Sequence, residues 1–359
     1  MINKKILVIY PEAHFTKIAI YKNINLEFLK TIKHNLEELK RFDYITDQLE
    51  LRKKAIMEEL TDNEIDLRDI KVIISRGGLV KPVKSGIYEV NEVMTKDLRE
   101  GVMGVHATNL GGLIADEIAK SLPDAKAYLA DPVVVDELED IARITGHPLL
   151  ERKSIFHALN QKCVANEYAR SINKKYEELN IIAAHIGHGG VSVGAHKNGR
   201  VIDVNQAFDG NGPFSISRTG TLPLGGIVDL CFSGKYTKVE IREMITEKGG
   251  VVAYLGTDNI NEIESMIESG DENAKLILHA MAYQIGKEIG AVSAVLHYDV
   301  DAILLMGSLL NVNSFANYLT TMVEKIAKIM IYPVVNDMDS LAYKGLTILK
   351  DEAEILDYK

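Results

Sequence analysis

Short apolar runs bounded by turn residues alternate along the chain with longer stretches in which apolar residues recur every three or four positions. That pattern reads as strands interleaved with amphipathic helices. Near the N-terminus, Lys5 to Tyr10 predicts a strand, Pro11 to Phe15 a loop, and Thr16 to Tyr21 a second strand. Lys22-Asn23 marks a turn before a third strand over Leu26 to Ile32. The same layout returns at Ile181 to Ile186, a glycine-containing loop, the run VSVGAH, the turn Lys197-Asn198-Gly199 and Arg200 to Val204. Asn-Gly between two strand-like runs is a strong hairpin signal. Strand, loop, strand, turn, strand therefore occurs twice. This predicts an α/β chain of two like domains around a cleft, where ligands collect.

Between the two triples, residues 33–61 carry apolar positions at helical spacing, and Lys71 to Ser75 reads as a buried strand. A helix is expected over Leu113 to Leu122, a strand over Ala127 to Ala130, and helices over Asp136 to Ile144 and Lys153 to Tyr176. After the second triple, helices are expected over Gly225 to Phe232, Val239 to Lys248, Asn261 to Ser269 and Ala274 to Leu296, with GGVVAYLGTDN as a turn-rich connection. A strand over Ala302 to Leu305, a helix over Ser314 to Ile331, a short strand at Val334-Val335 and a helix over Ser340 to Leu349 complete the chain. The long helix leading into the second triple is expected to end the first domain and cross to the second. Residues 1–156 with 338–359 form the first domain and 157–337 the second.

Composition narrows the function. At 359 residues the chain has room for two domains, and 47% hydrophobic with 26% charged residues is ordinary for a soluble protein. A net charge of −10 argues against a general nucleic-acid role, which needs Lys/Arg surfaces. Cys163 and Cys231 lie far apart without metal-ligand spacing and read as reduced thiols. No apolar run approaches membrane-spanning length, and Pro11 and Glu12 interrupt the first apolar run too early for a signal peptide. A cytoplasmic location is expected.

Candidate chemistry sits at strand ends. Gly187, Gly189 and Gly190 flank His188 in a turn whose backbone N–H groups suit phosphate oxygens; a ligand-free hairpin is the alternative. Arg76 follows a strand directly and is placed to meet an anion, unless it is a surface arginine before a turn. Asp131 ends another strand, as a catalytic or metal-water carboxylate or as a helix N-cap. Gly307 and Ser308 follow the strand at Ala302 in the order a nucleotide site uses. His185 and His188 span a strand and a loop and make no metal pair. Neither a P-loop nor a dinucleotide fingerprint is present.

The strings SRGGLVKPVKSGIY, HATNLGG, DPVVVDEL, RKSIFHALNQK, SVGAHKNGRVIDVNQAFDGNGPFS and KGGVVAYLGT resemble the acetate/propionate/butyrate kinase family, and within it the butyrate kinases. The resemblance covers nearly the whole chain. It implies the actin–hexokinase–Hsp70 fold, a duplicated βββαβαβα unit. It also implies reversible, Mg²⁺- and ATP-dependent phosphorylation of a short-chain carboxylate, giving butyryl phosphate and ADP from butyrate and ATP. A homodimer through the second domain is implied as well. Carried over by position, Arg76 steadies carboxylate and phosphoryl group, Arg218 meets the transferring phosphoryl, His185 hydrogen-bonds it, and Asp131 lies near the attacking group. Two arginines and a histidine suit a reaction that needs in-line positioning and charge neutralisation.

The nucleotide-facing motifs depart from the family. Its first phosphate loop, Asn-x-Gly-Ser-x-Ser-x-Lys, is here Tyr10-Pro11-Glu12-Ala13-His14-Phe15-Thr16-Lys17, so only Thr16 and Lys17 match. His188 interrupts the second loop's glycines, Met306-Gly307-Ser308 replaces Thr-Gly-Gly, and Met338 falls about where a magnesium-linked glutamate is expected. No metal ligand is assigned. The alternative these changes raise is a catalytically impaired paralogue acting as a binding or regulatory subunit.

Overall fold

The computed structural model describes residues 4–188 and 190–359. Two compact units result, Met1–Val135 with Asn336–Lys359, and Asp136–Val335. The segment 136–156 groups with the second unit, where the sequence reading had its break after residue 156.

In the first unit β1 (Lys5–Pro11), β2 (Phe15–Lys22) and β3 (Asn25–Lys33) form an antiparallel meander. β4 (Ile70–Arg76) then adds parallel to β1, β5 (Ile87–Glu89) is short, and β6 (Lys126–Ala130) lies parallel to β4. A two-residue strand, Ile355–Leu356, closes the edge beyond β5. The second unit repeats the arrangement. β7 (Ile181–Gly187), β8 (Gly190–Lys197) and β9 (Arg200–Val204) form the meander. β10 (Ala302–Met306) is parallel to β7, and β11 (Ile329–Tyr332) is parallel to β10. The orders β3-β2-β1-β4-β6 and β9-β8-β7-β10-β11 are the same, so the duplication read from the two triples is a duplication of the fold.

Burial explains why these runs are strands. Ile6, Leu7, Val8 and Ile9 of β1 are fully buried, as are Ile303, Leu304 and Leu305 of β10, because helices cover both faces of a parallel sheet core. Alternation along β7 sorts its side chains between two layers. Ile182, Ala184 and Ile186 pack in one cluster with Leu278, Met281, Ile285 and Ile289 of the helix Glu272–Val295. Ile181 and Ala183 pack in another, with Val164, Ala165 and Tyr168 of the helix Ala158–Ser171. The next odd position on β7 is His185.

Four expectations are corrected. The helix expected over Asp136 to Ile144 is a single turn, Asp140–Arg143. The connection expected at GGVVAYLGTDN contains a helix, Gly250–Leu255, stopped by left-handed Gly256. The helix expected to reach Ile331 ends at Val323, and the β-favouring run that follows becomes β11 by pairing with β10. Val334 and Val335 belong to no strand. Among the described residues no helix is long and apolar enough to cross a membrane.

Candidate active site

In the first unit the candidate residues gather at the carboxyl ends of β1, β4 and β6. Arg76, the last residue of β4, donates through Nη1 to the Tyr10 hydroxyl and, at 3.1 Å, to Glu12 Oε1. Its guanidinium carbon lies 4.5 Å from the centre of the Tyr10 ring, in cation–π geometry. Burial pushes the Tyr10 phenol well above its usual range; Arg76 opposes this, while Asp337 and Glu12 add to it, so Tyr10 stays a neutral hydroxyl. Burial pulls Arg76 down, but Tyr10, Glu12 and Asp337 outweigh it and its pKa is raised. One fixed cation therefore sits among a phenol and two carboxylates.

Asp131 follows β6 with a left-handed backbone (φ 40°), a conformation uncommon outside glycine and often found at functional sites. Its carboxylate accepts from the Ser85 hydroxyl at 2.6 Å and the Gly86 N–H at 2.9 Å, and Oδ2 lies 2.9 Å from Lys344 Nζ. No helix starts at Asp131, which removes the N-cap alternative.

The first loop is organised from inside. Thr16 is fully buried, its hydroxyl within 2.9 Å of His34 Nε2 and 3.2 Å of the Arg52 guanidinium. Lys17, next on β2, is partly buried and lies 5.6 Å over the Phe15 ring. Arg52, on the helix Leu49–Asp62, is itself fully buried. It donates to the carbonyls of Glu12 (2.7 Å), Ala13 (2.8 Å) and Phe15 (3.2 Å), and to the Gln48 side chain. Burial pulls its pKa down to about 10, with Glu12 opposing, so it remains charged at neutral pH.

At the start of the helix Asp337–Leu349, Met338 is buried, and the two flanking carboxylates differ. Asp339 is committed to the Tyr21 hydroxyl (2.6 Å) and the Asn336 amide (2.6 Å). Asp337 is the one that interacts with Tyr10 and Arg76.

In the second unit His185 lies on β7 facing the helix Ala158–Ser171, as the alternation requires. Asn160 Nδ2 is 3.0 Å from His185 Nε2, and the His157 ring stacks on His185 with centroids 3.9 Å apart. An amide N–H can only donate, so Nε2 accepts and the neutral ring carries its proton on Nδ1. Behind the stack, His157 Nδ1 meets the Ser192 hydroxyl (2.9 Å), which also accepts from Gln161 Nε2 (2.9 Å). Gln161 Oε1 in turn accepts from His196 Nε2 at 2.9 Å, and His196 Nδ1 accepts from the Tyr176 hydroxyl at 2.7 Å. Burial, reinforced by Lys162, pulls His196 down to about 3.

Arg218 reaches the β7–β8 loop through a tight turn. The Ser215 N–H donates to the Arg218 carbonyl (3.0 Å) and the Arg218 N–H to the Ser215 hydroxyl (3.1 Å). The hydroxyls of Ser215 and Ser217 both donate to the His188 carbonyl at 3.3 Å. The Arg218 guanidinium donates to the Ala207 carbonyl at 2.6 Å and lies 5.1 Å from the Phe208 ring centre. Gly190 has φ 141°, and a Cβ there would lie 2.6 Å from the Ala207 carbonyl oxygen and 2.9 Å from Arg218 Nη1. Gly307 (φ 127°) ends β10 against Ile186, where any Cβ would overlap the Ile186 carbonyl; exposed Ser308 follows. Gly187, Gly190, His185, Arg218 and Gly307 thus come together at one end of β7 and β10. Gly189 lies outside the described residues. His188 turns outward to Asp258, 3.1 Å away.

Tyr10, Arg52, His157 and Asn160 were not singled out as site residues from the sequence. His157 and Asn160 lay inside the string RKSIFHALNQK, and Tyr10 in the changed loop, but nothing in spacing marked Arg52.

Comparison with known proteins bears on the family and the fold. A model of the acetokinase family matches residues 142–338. Butyrate kinase 2 of Clostridium acetobutylicum is 49% identical over 355 residues, 99% of each chain. A probable butyrate kinase of Bacteroides thetaiotaomicron is 46% identical over 359 residues, 99% of this chain and all of the other. Among solved structures, acetate kinase of Porphyromonas gingivalis superposes with a TM-score of 0.76 at 19% identity, covering 96% of this chain and 100% of that one. A propionate kinase of Francisella tularensis gives 0.74 at 15% identity, with 95% and 98% covered. The architecture is the actin-like α/β fold of the acetate and propionate kinases. Near-half identity sustained across almost every residue, on that fold, makes the chain a member of the acetokinase family.

Proposed function

We propose that the protein transfers the γ-phosphoryl group of ATP to butyrate, reversibly, giving butyryl phosphate and ADP. The observation that carries this reading is the 49% identity to a butyrate kinase over 99% of both chains. A carboxylate oxygen attacks the γ-phosphorus, the bond to the β-phosphate oxygen breaks, and ADP leaves with those electrons. The carboxylate is already a nucleophile, so no base is required, and catalysis is positioning and charge neutralisation. Arg76, held by Tyr10 and Glu12, and Arg218, held by the Ala207 carbonyl, are the cations the resemblance assigns to the transferring group, and each is fixed within its own unit, which avoids reorganisation during the reaction. His185 would donate from Nδ1. Asp131, engaged by Ser85, Gly86 and Lys344, would act by holding the β6 end beside Arg76.

Mg²⁺ fits the donor set. Among the described residues no group of three His, Cys, Asp or Glu could cage a metal. Mg²⁺ bound with nucleotide ordinarily takes one or two carboxylates, with phosphates and water completing its shell. Asp337 is the carboxylate at the Arg76 cluster and would hold it, while Asp339 is already spent on Tyr21 and Asn336. When bound, the ion would neutralise phosphate charge. A homodimer in the cytoplasm accompanies this reading. The helix Leu224–Phe232 supports it by leaving Leu224 and Phe232 81% and 86% exposed, an apolar face suited to a second copy.

The test is ATP formation from butyryl phosphate and ADP with Mg²⁺, with Arg218→Ala as the control against contaminating host kinase. Turnover abolished by that substitution supports the reading. A folded protein without turnover would instead be a binding or regulatory subunit.

Glu12 makes a second expectation. Its carboxylate occupies Arg76 at 3.1 Å and competes with any anion arriving there. Glu12→Gln keeps the side chain's size and removes its charge. It is expected to lower the KM for butyryl phosphate by about tenfold, the scale of one charge-assisted hydrogen bond. An unchanged or higher KM in steady-state assays would mean that Glu12 does not compete.

A further inference from the structure

The first loop lacks the family's glycine, yet no residue from Pro11 to Phe15 has a positive φ. Its backbone therefore needs no glycine, and something else sets its shape. That something is inside the first unit. Arg52 Nη1 donates to the Glu12 carbonyl at 2.7 Å and Arg52 Nη2 to the Ala13 carbonyl at 2.8 Å, while the Glu12 N–H closes the turn on the Phe15 carbonyl at 2.8 Å.

Peptide geometry turns this clamp into an outward-facing feature. In a planar trans peptide the C=O and the following N–H point in opposite directions, and the chain contains no cis peptide bond among the described residues. Carbonyls of Glu12 and Ala13 drawn inward oblige the N–H groups of Ala13 and His14 to point outward. Both residues are exposed. Two successive outward N–H groups in a turn are anion donors.

We propose that Arg52 is a positioning residue for phosphoryl transfer. By holding the Glu12 and Ala13 carbonyls inside, it presents the Ala13 and His14 N–H groups to an oxygen of the nucleotide's phosphate chain. This rests on the kinase reading above. Arginine suits the task because its planar fork serves several acceptors in fixed directions; lysine, a point donor on a flexible stem, cannot. The fork is itself aimed by Gln48, whose Oε1 accepts from Nε at 3.1 Å and Nη2 at 2.7 Å. Gln48 therefore belongs to the same device and offers a milder way to loosen it.

The experiment compares wild type, Arg52→Lys and Gln48→Met by steady-state kinetics with ATP and butyrate varied separately, inhibition by adenosine, and thermal melting. Misaligned amides should raise the KM for ATP by about tenfold or more, the loss of one or two hydrogen bonds to a charged group. The KM for butyrate and the inhibition constant of adenosine, which has no phosphate, should stay unchanged. The Gln48→Met effect should run in the same direction and be smaller. A merely structural role predicts a lower melting temperature and a lower kcat with the KM for ATP intact in both variants, and that result overturns the proposal. Wild-type protein that neither binds ATP nor turns over removes the kinase reading and the positioning role together. Wild-type turnover with an unmoved KM for ATP in both variants removes the positioning role alone.

Discussion

Arg76→Ala is expected to lower kcat/KM for butyrate phosphorylation by about a thousandfold, equivalent to about 4 kcal/mol of transition-state stabilisation. The size follows from what the guanidinium does. Negative charge spreads over the transferring phosphoryl oxygens, and a preorganised arginine is among the largest single contributors to its neutralisation. In the resting site Arg76 holds Tyr10 and Glu12 and interacts with Asp337. Its removal therefore also leaves two carboxylates without their cation, at the position an anion must approach. Both effects act in the same direction. Arg76→Lys should recover only part of the loss, because a single ammonium cannot hold the phenol and the carboxylate together. Steady-state kinetics on both variants, with circular dichroism to confirm folding, checks this. Near-wild-type kcat/KM in folded Arg76→Ala would move the chemistry away from the β4 end.

The second large effect is on stability in acid. His196 is fully buried, and as a neutral ring it is satisfied on both sides, donating from Nε2 to Gln161 and accepting from Tyr176 at Nδ1. A proton on Nδ1 would confront the Tyr176 hydroxyl with a second donor. Burial first, and Lys162 next, accordingly pull its pKa from 6.5 to about 3. His34 is lowered to about 4 by burial and by Arg52. The unfolded chain takes up these protons near its ordinary pKa while the folded chain refuses them. Their contribution is thus fully present above pH 6.5 and is lost as the pH falls towards the folded values. At about pH 4.5, His196 alone accounts for a loss of about 2–3 kcal/mol, on top of whatever the carboxylates titrating there contribute. Amide hydrogen exchange in β8 at neutral pH and at that pH should show the loss in local opening free energy. His196→Asn should be less stable at neutral pH but should lose correspondingly less on acidification. Equal losses in variant and wild type would remove His196 as the source.

The two expectations sit on opposite sides of what the chain's order of residues could reveal. Arg76 was legible because it directly follows a strand-like run, and a cation at the carboxyl end of a parallel strand has few other places to point. His196 looked like one more histidine in a hairpin. Its partners Tyr176, Gln161 and Lys162 lie outside that hairpin, and the packing of helix Ala158–Ser171 and of Tyr176 against β8 makes it a buried neutral base. Asp131 was ambiguous between N-cap and site carboxylate because local sequence is the same for both. The N-cap reading falls because no helix starts there, and the groups that engage its carboxylate, Ser85, Gly86 and Lys344, are all distant in the chain.

The sequence by itself determined the duplicated strand triples, the strand-end placement of Arg76, Asp131, His185 and Gly307, and membership of a kinase family through long specific strings. The triples and the strand-end placements follow from short-range physics, alternation, turn chemistry and the geometry of parallel strands, each encoded within about ten neighbouring residues, whereas the family came from the resemblance of whole strings. It misjudged the segments where pairing overrides local preference, as in β11, which is a strand only because β10 lies beside it. Tertiary structure alone decided which carboxylate at the last helix faces Arg76, since Asp337 and Asp339 are two residues apart and differ only in what surrounds them. It also decided that a loop without glycine keeps its shape, because the guanidinium that draws its carbonyls inward comes from Arg52, on a separate helix. Long-range hydrogen bonds of that kind connect groups that no periodicity brings into register, and they exist only once the chain has folded.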